Sequence, residues 1–130
     1  MSHLKILIAD DEPAVLEIMA RQVASSGFHV ITAKDGEEAW EKIQSQHPDI
    51  VLLDLIMPKM DGFAVLSHLR KHSPSNKWVP TIVISAVDEV QKMQQSFDLQ
   101  ADHYLVKPCT IEDILKGIRM MVSLMPLRNS

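Results

Sequence analysis

Short, nearly uninterrupted apolar runs alternate along this chain with longer stretches in which apolar residues recur every third or fourth position. The runs "LKILIA" (4–9), "FHVITA" (28–33), "DIVLLD" (49–54), "PTIVISA" (80–86) and "HYLV" (103–106) predict five β-strands. "DIVLLD" hardly alternates, as expected where both faces of a sheet are covered. The intervening stretches predict five helices. In "EPAVLEIMARQVASSG" (12–27), Val15, Ile18, Met19, Gln22 and Val23 share one face, with Pro13 suited to the first turn and Gly27 to the C-terminal cap. "DGEEAWEKIQSQ" (35–46) carries a narrower stripe of Ala39, Trp40 and Ile43, with Asp35 as N-cap. "FAVLSHLRKH" (63–72) and "DEVQKMQQSFDL" (88–99) follow. "TIEDILKGIRMMVSLM" (110–125) aligns Ile111, Ile114, Leu115, Ile118, Val122 and Met125. "HSPSNKWVP" and the tail "PLRNS" read as loose connectors, and no repeat or low-complexity tract is present.

Five strands alternating with five helices imply an α/β fold, a parallel sheet with helices on both faces and right-handed crossovers. Sites in such open sheets form at the carboxyl ends of the strands. Asp10 and Asp11 end the first strand, Asp54 ends the third, Ser85 nearly ends the fourth and Lys107 follows the fifth. All five are therefore expected on one edge.

Composition narrows the class of protein. The 130 residues suit one domain, and 46% hydrophobic with 23% charged residues argues against disorder. A net charge of −4 gives no general attraction to nucleic acid or to an anionic membrane. The single cysteine, Cys109, cannot form an internal disulfide, no apolar run approaches the ~20 residues that span a bilayer, and the N-terminus lacks a secretory pattern. The expectation is a cytoplasmic domain without direct nucleic-acid or membrane partners.

The stretch "ADDE" (9–12) is unusual, because adjacent carboxylates repel one another and resist burial. Asp10, Asp11 and Asp54 at one sheet edge, with no Arg nearby in sequence, call for a cation. A small all-oxygen set suits Mg²⁺, which prefers octahedral oxygen ligands and retains several waters. Lys107 adds a flexible positive charge for an anion, and Ser85 a hydroxyl donor. A carboxylate nucleophile with these partners fits phosphoryl transfer to an aspartate.

The segments "ILIADDEP", "DIVLLDLIMPKMDG", "PTIVISA" and "YLVKP", in this order and spacing, closely resemble the receiver domains of two-component response regulators, including stand-alone chemotaxis-type regulators. The likeness spans residues 4–125, with the domain expected over 1–126 and a tail or the start of a linker over 127–130. It implies a doubly wound, flavodoxin-like sheet of order 2-1-3-4-5. It further implies that Asp54 accepts a phosphoryl group from a sensor histidine kinase or histidine phosphotransfer protein. Asp11 would bind Mg²⁺ directly, Asp10 largely through water, and Ile56 through its backbone carbonyl. Lys107 would contact the phosphoryl group, with a cis bond to Pro108. Ser85 and Tyr104 would form the switch that alters the surface offered to a downstream protein target or output domain. Ile56 and Val87 would flank the attacking water; both being apolar, they imply a long-lived aspartyl phosphate.

Plainer readings stand beside these. Asp10 could be an N-cap of the first helix, Tyr104 a static core aromatic, and Asp61-Gly62 a turn plus helix start. His68 and His72 lie one turn apart without an evident third zinc ligand, and Cys109 reads as a packing residue. Met120 and Leu124 fall opposite the apolar stripe of the last helix, which suggests a partner or homodimer surface through that helix, or simply scattered apolar residues. Gln100 stands where the family often has Gly. The rival functions are a phosphorylation-independent interaction module and an aspartyl-phosphate phosphatase. The latter is disfavoured because Ile56 stands where that class carries a second acid.

Overall fold

The computed structural model describes residues 4–72, 77–86 and 90–128. Five strands, β1 (Lys5–Ala9), β2 (His29–Ala33), β3 (Ile50–Leu53), β4 (Thr81–Ser85) and β5 (His103–Val106), form one parallel sheet in the order β2-β1-β3-β4-β5. The helices are α1 (Pro13–Ser25), α2 (Gly36–Gln46), α3 (Gly62–Lys71), α4 (Val90–Asp98) and α5 (Ile111–Arg128).

Alternation within each strand sorts the core into two layers. Leu7, Ala9, Ile31, Val51, Leu53 and Val83 pack with Ala39 and Ile43 of α2 and Val65, Leu66 and Leu69 of α3. The residues between them, Ile6, Ile8, Ile50, Leu52, Ile82 and Ile84, pack with Met19 and Val23 of α1 and Ile114, Ile118 and Met121 of α5. Side chains of a strand point alternately to the two faces, so a buried sheet needs apolar residues at every position. The same parity sends Asp10, Asp54 and Lys107 out on the side of Ile8, Leu52 and Leu105, whereas Tyr104 joins the α2–α3 layer. In register, Ala9 stands beside both Ala33 and Leu53, and Ser85 beside Val106, which brings the strand ends level.

Three expectations are corrected. Ile18 belongs to the apolar stripe of α1 in sequence, yet it is 57% exposed, because that stripe is wider than the face α1 gives the sheet. Met121, outside the expected stripe of the last helix, is buried instead. That helix also continues to Arg128, beyond its expected end at Met125. Pro126 removes one intrahelical bond, as a proline does anywhere inside a helix, and only Leu127 and Arg128 follow it there.

Candidate functional site at the carboxyl edge of the sheet

Asp10 leaves β1 and is 1% exposed; Asp54 leaves β3 and is 6% exposed. Buried carboxylates need partners, and both have them. The Asp10 Oδ1 accepts the Glu12 N–H at 2.9 Å and its Oδ2 the Lys107 Nζ at 2.6 Å. The Asp54 Oδ1 accepts the Ile56 N–H at 3.0 Å and its Oδ2 the same Lys107 Nζ at 3.1 Å. Backbone bonds fix the two main chains: the Asp10 N–H donates to the Ala33 carbonyl and the Asp54 N–H to the Ala9 carbonyl. Asp11 is exposed and forms the open side. One oxygen from each of Asp10, Asp11 and Asp54 lies within 4.8 Å of the others.

The electrostatics are unbalanced. Three carboxylates face one ammonium, with Glu12 a further 3.9 Å from Lys107 but 65% exposed. Burial raises the pKa of Asp54; the Ile56 N–H and Lys107 oppose that rise, and Asp10 adds to it. Burial would lower the pKa of Lys107, but its bonds to Asp10 and Asp54 and their charges outweigh burial and raise it. A part-buried amine flanked by two carboxylates stays cationic. The donor set, three clustered carboxylates open on one side and only partly neutralised, fits a hard divalent cation held with water.

The remaining expected residues fall around this centre. Ser85 is fully buried at the end of β4, and its carbonyl accepts the Lys107 N–H at 2.9 Å. The Lys107–Pro108 bond is cis. The side chain of Ile56, next but one to Asp54, is half exposed. Tyr104 is half-buried with its ring centroid 6.5 Å from that of Phe97. Val87 lies outside the described residues.

Asp10 is not the N-cap of α1: Glu12 holds that position, without a side-chain bond. Asp61 does cap α3, accepting the Ala64 N–H. His68 stacks on Trp40 with centroids 5.3 Å apart, and Asp10, Asp11 and Asp54 are the one group of three metal-competent side chains among the described residues. Burial raises the pKa of the half-buried Cys109 thiol, as suits a packing residue. Sequence reasoning missed a groove of about 500 Å³ between α1 and the β5–α5 turn, bordered by Ile18, Met19, Lys107, Cys109 and Ile114. Ile18 and Gln22, beside the buried Met19 and Val23 on the same face of α1, were its only signal.

Among the described residues no helix is long and apolar enough to cross a membrane. The family model of the response regulator receiver domain matches residues 6–119. A probable transcriptional regulator, ycf27, of Porphyridium aerugineum is 38% identical over 122 residues, covering 94% of this chain and 49% of that protein. Response regulator RR06 of Streptococcus pneumoniae is 38% identical over 120 residues, covering 92% and 53%. The chain thus spans about half the length of these curated relatives. Among solved structures, a CheY-like receiver domain from Methanospirillum hungatei has a TM-score of 0.89 at 26% identity, covering 96% of this chain and 98% of that one. The CheX–CheY–BeF3–Mg complex from Borrelia burgdorferi matches with a TM-score of 0.83 at 33% identity, covering 92% and 89%. With its 2-1-3-4-5 sheet, its acidic edge and its lysine, the chain belongs to the response regulator receiver domain family.

Proposed function

We propose that this chain is a phosphorylation-controlled signalling switch in which Asp54 accepts a phosphoryl group from a sensor histidine kinase or histidine phosphotransfer protein. The observation that carries this reading is the shared lysine: Lys107 Nζ lies 3.1 Å from the Asp54 oxygen that would attack and 2.6 Å from Asp10. In the transfer, an Asp54 carboxylate oxygen forms the new O–P bond while the P–N bond of the phosphohistidine breaks. The imidazole keeps the bond's electron pair and takes a proton. Positioning and charge neutralisation supply most of the catalysis of such a step. Lys107 neutralises the phosphoryl oxygens, and the Ser85 hydroxyl donates to one of them. The Ile56 N–H holds the other Asp54 oxygen and so orients the attacking one. Mg²⁺, held by Asp11, Asp54, the Ile56 carbonyl and, through water, Asp10, would offset the charge that accumulates at the phosphoryl oxygens.

The groove beside Lys107 provides the donor's approach, because its apolar wall meets the site at that residue. The output is a changed protein contact through Ser85 and Tyr104, made with a downstream protein or with an output domain of the same polypeptide. Met120 and Leu124, 42% and 38% exposed on α5, supply the surface for such a partner or for a second copy.

The test is intact mass after incubation with acetyl phosphate, with and without Mg²⁺, on wild type and Asp54→Asn. One phosphoryl adduct that requires Mg²⁺ and is absent from the variant is expected. A folded wild-type protein without an adduct would favour the phosphorylation-independent interaction module.

A further inference from the structure

The loop that leaves Asp54 at residue 54 and enters α3 at Gly62 carries both the acceptor and the Ile56 carbonyl. Its far end is fastened to its start, since the Gly62 N–H donates to the Leu55 carbonyl at 2.9 Å. At its crest the Met60 N–H donates to the Pro58 carbonyl at 2.8 Å, and Lys59 between them takes a left-handed φ of 67°. The crest rests on a different element. Gly36, the buried first residue of α2, lies so close to Met60 that a Cβ there would run into the Met60 carbonyl oxygen and carbon. The N-terminal end of a helix favours an oxygen, through its unpaired N–H groups and the positive end of its dipole.

That end of α2 does not yield easily. Asp35 is buried and accepts the Glu38 N–H at 2.8 Å, while Glu38 reaches back to the Lys34 N–H at 2.7 Å. The Asp35 carboxylate also faces Lys59 Nζ at 3.7 Å, a second tie between α2 and the crest. A side chain at position 36 would therefore have to displace the loop rather than the helix, four residues from Ile56.

We infer that Gly36 is a positioning residue: by admitting the Met60 carbonyl against α2, it fixes the loop that holds the Ile56 carbonyl and Asp54 in register with Asp10 and Asp11. This rests on the proposed Mg²⁺ and phosphoacceptor roles of that loop. Gly36 itself touches neither group.

The experiment measures the Mg²⁺ dissociation constant of the unphosphorylated protein by calorimetry, and its urea stability in EDTA, for wild type, Gly36→Ala and Lys59→Gly. Displacing a group that orients metal ligands weakens metal affinity by about 10-fold or more, and that is the expectation for folded Gly36→Ala. Lys59→Gly introduces no clash, loosens the crest and removes its tie to Asp35. It should weaken Mg²⁺ severalfold while stability in EDTA holds or improves, because glycine accepts a left-handed φ freely. Wild-type Mg²⁺ affinity in folded Gly36→Ala overturns the inference. If that variant does not fold, wild-type affinity in Lys59→Gly overturns it. Failure of the wild-type protein to bind Mg²⁺ or form the phosphoryl adduct is the distinct result that overturns the proposed function, and this inference with it.

Discussion

Asp54 occupies a place that works against its own charge. Its folded pKa is raised chiefly by burial, so ionised Asp54 destabilises the native state above that pKa. The penalty fades as pH falls through the folded value, where the native group takes up a proton, and vanishes below the unfolded value. Asp54→Asn removes the penalty, and Lys107 keeps Asp10 as a partner. In Mg²⁺-free buffer the variant should be more stable than wild type by about 1 kcal/mol at neutral pH, as for other functional-site charges, with the gap closing under acid. Urea denaturation at neutral and acidic pH checks it; a less stable variant at neutral pH would mean that the Lys107–Asp54 attraction outweighs burial. Ile56 bears on kinetics instead. Its half-exposed aliphatic side chain cannot orient a water at the proposed aspartyl phosphate, so Ile56→Asn should shorten the lifetime of the adduct severalfold, read from its decay after acetyl phosphate is removed. At this scale the sequence was informative because each of these residues stands at a strand end. It did not reveal that Lys107, 97 residues from Asp10 and 53 from Asp54, bridges the two, since the pairing exists only once β1, β3 and β5 are ordered side by side.

Elements were legible where their own periodicity decides them and less so where a neighbour does. The five strands fall within a residue of their expected bounds, because a buried strand must be apolar throughout. The exposure of Ile18 could not be read, since the width of the α1 contact is set by where α5 lies. The turn from α4 to β5 is another such case. Gln100 takes a φ of 66°, which favours glycine, and there it is held by tertiary bonds: the Arg70 Nε and Nη2 donate to its carbonyl at 3.0 and 2.8 Å. Arg70 also pairs with Asp102 at 2.8 Å and donates to the Val79 carbonyl, tying α3, the approach to β4 and the turn together. The left-handed strain of a non-glycine residue exceeds the backbone entropy that a glycine loses on folding. Gln100→Gly, which keeps the carbonyl that Arg70 grips, should therefore stabilise the protein by about 0.5 kcal/mol in urea denaturation. A loss of stability would show that the glutamine side chain contributes a contact of its own.

Across the whole molecule, the sheet separates the proposed phosphoryl site from the surface proposed to report it. Strand parity places Asp10, Asp54 and Lys107 toward the α1–α5 layer, whereas Tyr104 packs with the α2–α3 layer beside Phe97 of α4. Ser85 stands between them: it is buried at the end of β4, its carbonyl holds the Lys107 N–H, and β4 pairs directly with β5. A new negative charge at Asp54 would draw the Ser85 hydroxyl, and the space it vacates is what would let Tyr104 turn inward, a local charge biasing a two-state element. The chain has one tyrosine, so 3-fluorotyrosine labelling yields a single ¹⁹F resonance for it. That resonance should shift when acetyl phosphate and Mg²⁺ are added, in proportion to the adduct seen by mass. In Ser85→Ala, phosphorylated to the same extent, it should stay at its unphosphorylated position. A wild-type resonance that remains still while the adduct forms would make Tyr104 a static core aromatic, and the changed surface would then have to arise at the β3–α3 loop that carries Asp54.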